Sequence, residues 1–299
     1  MALFLVDSSI FVFRAWFGQA KHFNKNEEPN QAFIGFSDFI YQLLRDRNPA
    51  CLVCAFDQSQ KQSERKEIYP EYKANRSVAP AELKNQFAIC RQWLGHLAIS
   101  DVSSDSWEAD DLIGTLALLH RSDQSTITIL SADKDLAQLI RPGDLWWPYP
   151  LDALDYRAVT KKFKLPPEQI AEQLALAGDK VDNIPGIPQV GMRTASNLLK
   201  KFGSIENLRK NLDQVSKMKF RFASQVQQSL IENEHLLELS SRLTKINCEV
   251  DAMDAVLVDR GKINALELDA MMIDQCMDNS RQQKWQELIN SRAFSQYRA

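Results

Sequence analysis

Three short apolar runs punctuate the first half of the chain, and each closes on an aspartate: LFLVD at 3–7, CLVCAFD at 51–57 and TITILSADKD at 126–135. Their apolar positions are nearly continuous rather than alternating. That pattern predicts strands buried on both faces, as in a parallel sheet covered by helices. Helically spaced apolar positions lie between them, at Ala32–Leu44 and Ala81–Leu94, and again after Asp111 in WEADDLIGTLALLH. Strands alternating with helices predict an α/β fold with a mostly parallel sheet flanked by helices. The carboxyl ends of parallel strands share one edge, where ligands bind. Asp7, Asp57 and the pair Asp133/Asp135 are therefore expected to gather at one rim. A helix starting at WEADDL would present Glu108, Asp110 and Asp111 to the same place.

The texture changes after residue 163. Strand-like runs stop and helical spacing takes over with LPPEQIAEQLALAG, where Pro166 or Pro167 suits a helix start and Gly178 its end. A segment punctuated by proline and glycine, DKVDNIPGIPQVG, then leads into a helix expected to end near Lys200-Lys201-Phe202-Gly203. The expected division is an α/β domain over 1–163, a helical subdomain over 164–260 and a C-terminal helical segment over 261–299. The last of these carries amphipathic spacing but no readable motif.

Length and composition (299 residues, 44% hydrophobic, 25% charged) allow one large domain or two moderate ones. No apolar stretch reaches the length of a membrane span, and MALFLVDSS has no basic leader or cleavage site, so a cytoplasmic protein with no membrane partner is expected. Five scattered cysteines (Cys51, Cys54, Cys90, Cys248, Cys276) fit that setting. Cys51 and Cys54 form a CxxC, but on a strand residues three apart face opposite ways, which predicts buried thiols rather than a metal or redox pair.

The crowded carboxylates have two physical readings. Acidic residues suit the first turn of a helix, whose free N–H groups carry partial positive charge. Alternatively, a cation neutralises them. Packed without one, they would repel each other and take up protons. Oxygen ligands beside a phosphate substrate suit Mg²⁺. No histidine lies among them, which disfavours zinc; His22, His96, His120 and His235 fall elsewhere. This many carboxylates suit two ions roughly 3.5–4 Å apart, which would clamp the attacking and leaving oxygens of a phosphodiester. A phosphatase nucleophile motif would need a second aspartate two residues after Asp7, and Ser8 and Ser9 follow instead.

Two segments could grip phosphates. In SERKEIYPEYKANR (63–76), Arg65, Lys66, Lys73 and Arg76 alternate with Tyr69 and Tyr72, cations for backbone phosphates and rings for stacking on bases. In NIPGIPQVGMRTA (183–195), Gly186 and Gly191 allow close backbone approach before a helix N-terminus, which attracts anions. The net charge of −3 argues against a nucleic-acid partner at first sight. Assigning nine acids to metal sites turns −3 into +6 for the remaining surface, which suits such a partner.

In their order along the chain, LFLVDSSIFVFRA, AFD, IYPEYKANR, EADDLIGTLA, SADKDLAQL and LAGDKVDNIPGIPQVGMRTA resemble the 5′-nuclease (flap endonuclease) family, in particular the 5′→3′ exonuclease domain of bacterial DNA polymerase I. The resemblance runs over residues 3–260 and implies a PIN-like α/β fold with a helical arch at about 58–85. It also implies a helix–three-turn–helix element at about 176–203 that grips duplex DNA. Asp7, Asp57, Glu108 and Asp110 would surround a first Mg²⁺ and Asp133, Asp135 and Asp179 a second, Mn²⁺ substituting, with Asp111 and Asp182 acting through water. All nine positions are acidic here, so an active enzyme is expected. Lys73 and Arg76 would contact the scissile phosphate from the arch base, with Arg65 and Tyr72 nearby. Phe13 would stack on a terminal base, and Arg14, Gln189, Gly191, Arg193 and Thr194 would complete the DNA contacts. Backbone carbonyls of Leu176, Ala177, Pro185, Ile187 and Val190 would hold a K⁺ ion.

The chain departs from the polymerase pattern at Gln189 and Met192-Arg193, where Gly and Glu-Lys are usual, and at Ser8, where glycine is usual. The implied activity is Mg²⁺-dependent hydrolysis of DNA near 5′ ends at flaps, nicks and single-strand/double-strand junctions, leaving a 5′-phosphate and a 3′-hydroxyl, in replication or repair. A standalone, monomeric protein working at the nucleoid is expected. The alternatives are a non-catalytic DNA-binding scaffold and a PIN-type ribonuclease.

Overall fold

A computed structural model describes residues 2–58 and 63–298. The three apolar runs form strands β1 (Ala2–Asp7), β2 (Cys51–Asp57) and β4 (Thr126–Leu130). With β3 (Ser100–Ser104), β5 (Leu145–Trp147) and β6 (Leu154–Asp155) they make one sheet in the order β3-β2-β1-β4-β5-β6. Five strands run parallel, and only β6 pairs antiparallel, at the edge.

The strands alternate between two apolar cores, which explains their continuous hydrophobicity. Val6, Leu52, Cys54, Phe56 and Leu130 face one side; Leu3, Leu5, Cys51, Val53, Ala55, Ile127 and Ile129 face the other. Cys51 and Cys54 thus lie in different cores, both buried, and neither can meet the other across the sheet. The first face is covered by α1 (Ser8–Gly18), α2 (Gln31–Arg47) and, after the short α3 (Glu64–Ile68), α4 (Ala81–His96), the second by α5 (Ala109–His120), α6 (Tyr156–Phe163) and α7 (Ile170–Ala177).

The C-terminal residues without a motif complete the first core. In α12 (Ala265–Asp274) and α13 (Asn279–Asn290), Leu268, Met272 and Trp285 are buried, and the Trp285 ring centroid lies 5.1 Å from that of Trp93. Among the described residues a third core contains no strand and joins α7 to α8 (Met192–Phe202), α9 (Ile205–Lys210), α10 (Ala223–Glu232) and α11 (Glu234–Thr244), with Leu165, Ile187 and Val190 from the connecting segments.

The turn between α7 and α8 is closed tightly. Asp179 and Ile184 exchange backbone hydrogen bonds, at 3.0 and 2.7 Å. Gly178 and Gly186 both take positive φ, +75° and +62°, and a Cβ built on Gly186 would stand 2.2 Å from the Gly178 nitrogen. Backbone cannot yield at that distance. Gly186→Ala is therefore expected to cost about 3 kcal/mol or more of unfolding free energy. Urea denaturation measures this, and an unchanged midpoint would rule out the close approach.

Candidate active site

β1 leads to β2 on one side and β4 lies on its other side, so the strand order reverses between β1 and β4. In an open α/β sheet that switch point makes a crevice outside the strand carboxyl ends. Asp7 ends β1 there, and its Oδ2 accepts a 2.7 Å hydrogen bond from Ser131 Oγ, just beyond β4. The same Ser131 oxygen accepts the Asp133 N–H at 2.9 Å, and Asp133 Oδ1 accepts the Asp135 N–H at 2.9 Å. Asp57 ends β2; its N–H donates to Ser9 Oγ, and its Oδ1 accepts the Ala109 N–H at the start of α5. Two hydroxyls, of Ser131 and Ser9, and two helix starts therefore hold four strand-end aspartates around a single crevice.

Glu108 caps α5, and with Asp111 it forms a reciprocal capping box, the acidic helix start anticipated for WEADDL. Beyond this cap, the acids divide into two groups. Glu108, Asp111, Asp179 and Asp182 are ion-paired. Lys73 Nζ lies 2.9 Å from Glu108 and 3.7 Å from Asp182; Arg76 pairs with Asp182; Lys134 Nζ lies 2.5 Å from Asp179. Asp7, Asp57, Asp110 and Asp133 have no cation within 4.0 Å among the described residues, and Asp135 has only Lys134 at 3.8 Å.

The electrostatics follow that division. Burial, then Asp57, raises the Asp7 carboxyl to about 7. Burial, then Asp133, raises Asp135 to about 7 as well. Asp110 is held well above the usual carboxylate range by desolvation and by Asp133 and Asp7. Burial also opposes charge on Glu108, but Lys73 and Arg65 outweigh it and hold that carboxyl low. The unpaired group is thus charge-frustrated and the paired group is satisfied.

Among the described residues the carboxylates offer a cation only oxygen at the crevice, and Asp135 Oδ1 is buried without a hydrogen-bond partner. Both features fit a hard divalent cation. Among the described residues no three His, Cys, Asp or Glu side chains are arranged to coordinate one ion as they stand. Apart from Asp135 Oδ1, the bonded oxygens are directed instead to Ser131, to the N–H groups of Ala109 and Asp135, and to Lys73, Arg76 and Lys134.

Two residues anticipated as DNA contacts are structural. Arg65 is buried: it pairs bidentately with Asp111 at 2.6 and 2.7 Å, donates to Glu108, and bonds the carbonyls of Leu243 and Lys245. It has no donor left for phosphate. Asp111 is 0% exposed and also accepts the Asn247 N–H, so it is sealed behind Arg65. Tyr72 is buried too, and its ring is not available for stacking; its hydroxyl bonds Glu108 Oε2 at 3.0 Å. The spacing of cations and rings in 63–76 could not show which side chains turn inward.

The other anticipated positions lie around the crevice and the turn. Phe13 is exposed on α1, edge-on to Phe87 at 5.5 Å. Arg14 bonds the Tyr149 carbonyl and lies over the Phe11 ring. Lys73 is buried with φ +54°, whereas Arg76 is half-exposed. Of the expected arch, residues 59–62 lie outside the described residues. Gln189 is exposed at φ +68°, in the left-handed region that glycine favours. Gly191 caps α8, with Arg193 and Thr194 in its first turn. In the α7–α8 turn, the Leu176 carbonyl accepts the Ile187 N–H, and the Ile187 carbonyl accepts that of Val190. Ala177 and Pro185 sit against the two close-packed glycines.

Sequence reading missed Lys134, Ser131 and Ser9. The first is legible in hindsight as the cation inside Asp-Lys-Asp; the two serines gave no signal beyond following a strand. Among the described residues no helix is long and apolar enough to cross a membrane.

Comparison with known proteins agrees with this geometry. Residues 2–174 match the family described as "5'-3' exonuclease, N-terminal resolvase-like domain", and residues 165–263 match "5'-3' exonuclease, C-terminal SAM fold". The chain is 36% identical over 250 residues to a 5'-3' exonuclease of Aquifex aeolicus, covering 83% of both chains. It is 34% identical over 269 residues to DNA polymerase I of Rhizobium leguminosarum, covering 86% of this chain but 26% of the polymerase. The chain thus spans about a quarter of the length of its polymerase relatives. Among solved structures, a zinc-bound T5 5'-exonuclease superposes with a TM-score of 0.64 at 21% identity, covering 92% of this chain and 98% of that one. The catalytic core of Rad2 in complex with DNA superposes with a TM-score of 0.65 at 17% identity, covering 96% and 91%. The chain belongs to the 5′-3′ exonuclease family and is a nuclease of the hydrolase class.

Proposed function

We propose that this chain hydrolyses DNA phosphodiesters near 5′ ends of flaps, nicks and single-strand/double-strand junctions, in replication or repair, with two Mg²⁺ ions that Mn²⁺ can replace. The observation that carries this reading is the set of strand-end aspartates without cation partners at the switch point of the sheet. Asp7, Asp57, Glu108 and Asp110 would hold one ion, and Asp133, Asp135 and Asp179 the other. Asp182 acts through water, and Asp111 acts by fixing Arg65 and the Glu108 cap. When bound, the ions would supply Lewis acidity at the phosphate and a nucleophilic water at neutral pH.

The chain's own cations do the positioning. Lys73 and Arg76 sit beside the crevice on Glu108 and Asp182. Moving from those carboxylates to the scissile phosphate, they would neutralise it and free acidic oxygens for the ions. Phe13 would stack on a terminal base, with Arg14 beside it. Backbone N–H groups at Gly191 and the first turn of α8, together with Gln189, Arg193 and Thr194, would hold the duplex. Carbonyls of Leu176, Ala177, Pro185, Ile187 and Val190 would take K⁺. The functional division follows: nuclease domain to 163, duplex grip over 164–260, and 261–299 as a packing segment. A monomer acting on DNA inside the cell completes the reading.

The direct test is product mapping on an end-labelled 5′ flap. Mg²⁺ should give fragments with a 5′-phosphate and EDTA should give none, while much of the DNA binding persists. Protein that binds flaps but cuts under no divalent metal would be a scaffold, and preference for single-stranded RNA would make it a ribonuclease.

A stability measurement probes the same site without turnover. Asp7 and Asp135 carry carboxyls raised from 3.8 to about 7, so the folded chain retains protons that the unfolded chain has released. Stability is then lost as pH rises from about 4 through 7, the sign opposite to that of a salt-bridged carboxylate. The metal-free melting temperature should fall between pH 5 and 8, and Mg²⁺ should raise it far more at pH 8 than at pH 5. Equal effects of Mg²⁺ at both values would dissociate the ions from these carboxylates.

A further inference from the structure

The exposed face of α8 carries Arg193, Asn197, Lys200 and Lys201, at the i, i+4, i+7 and i+8 spacing of one helix side. At its C-terminal end lies a cleft of about 530 Å³, lined by Lys201, Asp213, Gln214, Lys217, Met218 and Lys219. The wall continues as Lys219-Phe220-Arg221-Phe222, a run in which cations and rings alternate. Phe220 packs against the helical core, whereas Phe222 is 53% exposed at φ +66°. A bulky residue rarely adopts that conformation, and such outliers concentrate at functional sites. The Arg221 guanidinium lies 4.4 Å from the Phe222 ring centroid.

Nearby surface cations are matched: Lys210 pairs with Glu206 and Arg209 with Glu234. At the cleft they are not. Lys217 has Asp213 at 3.4 Å, but Lys200, Lys201, Lys219 and Arg221 have no carboxylate within 4.0 Å among the described residues. The segment is also held in place. Met218 N–H bonds the Val215 carbonyl, Ser216 N–H bonds Gln227 Oε1, and the Phe222 carbonyl accepts the Val226 N–H. Three cations that line the cleft, with Lys200 and Arg221 next to them in the chain, stand against one carboxylate on a fixed wall and make a preorganised site for a polyanion.

We propose that this cleft is a second duplex-binding element, in which Lys201, Lys217 and Lys219 contact the sugar–phosphate backbone beyond the part held at the α8 N-terminus. The proposal rests on the duplex grip at Gly191–Thr194 set out above. Arg193 and Lys201 are eight residues apart on one helix, so the two contacts are about 12 Å apart. That spans about three to four base pairs of duplex rise. A short duplex arm reaches only the first contact, and a longer arm reaches both.

The test is fluorescence anisotropy in EDTA with flap DNA carrying duplex arms of about 6 or about 20 base pairs, for the wild type and for Lys201→Gln/Lys217→Gln/Lys219→Gln. On the long arm the variant should bind about tenfold more weakly or worse. The slope of log K against log salt should fall by about 2 to 3, near 0.9 for each lost contact. On the short arm it should match the wild type, and the triple Lys→Arg variant should bind the long arm normally. An unchanged salt slope, or equal loss on both arms, overturns the proposal. The readout needs no turnover: a wild type that never cuts flaps but shows the arm-length effect would refute the nuclease reading and leave the cleft assigned. Cleavage by the variant at wild-type rate on saturating DNA, with no arm-length effect, would do the reverse.

Discussion

Asp133→Asn together with Asp135→Asn should lower the single-turnover rate of flap cleavage by at least about a thousandfold, near 4 kcal/mol of transition-state stabilisation. DNA binding in EDTA should stay close to wild type. Asparagine keeps the shape of both side chains, and at position 133 its Oδ1 can still accept the residue-135 N–H that caps the following turn. What it removes is charge. The wild-type pair belongs to a group of carboxylates so poorly compensated that Asp135 is raised to about 7. Removing both should therefore raise the melting temperature of the metal-free protein at pH 8 by several degrees while destroying activity. Loss of activity with lower stability would point instead to a damaged fold. Undiminished cleavage would end the two-ion reading, because Asp133 and Asp135 account for most of the second site.

Arg65→Ala should destabilise the protein by about 3–5 kcal/mol, the usual cost of leaving a buried charge without its partner. The stranded charge would be Asp111, which is 0% exposed, whereas Glu108 would keep Lys73. The arginine also ties the segment after β2 to the carbonyls of Leu243 and Lys245, so its loss unfastens the end of α11 from the crevice. Urea denaturation gives the magnitude. Arg65→Met combined with Asp111→Leu should recover much of the stability, because it removes both charges together and leaves apolar volume. If the single variant were as stable as wild type, Arg65 would be free for the phosphate contact anticipated from its position in the chain.

Legibility from sequence varied with burial. The strands at 3–7, 51–57 and 126–130 were legible because they are buried on both faces, and continuous hydrophobicity marks that condition. β3, with the sequence SDVSS, was not: it is an edge strand of intermediate burial, and its hydrogen bonds to β2 rather than its side chains keep it extended. β5 and β6, three and two residues long, carry no period at all. In the helical half, the stop at Gly178 was readable because the backbone there takes φ +75°, which few residues but glycine tolerate. The packing role of 261–299 was not readable, since Trp285 and Leu268 find their partners on Trp93 and its neighbours far back in the chain.

The sequence by itself determined the α/β architecture and the gathering of Asp7, Asp57 and Asp133/Asp135 on one edge. Parallel strands all end on the same side, so an aspartate at each strand end has no other place to go. Only the tertiary structure decided which acids are compensated. Arg65 and Tyr72 stand among similar cations and rings, and nothing local says that they turn inward to Asp111 and Glu108 while Arg76 stays half-exposed. Ion pairing acts over a few ångströms in space between residues far apart in the chain, 46 positions for Arg65 and Asp111 and 106 for Arg76 and Asp182. The fold brings them together, and that leaves the strand-end aspartates as the group whose charge awaits a partner.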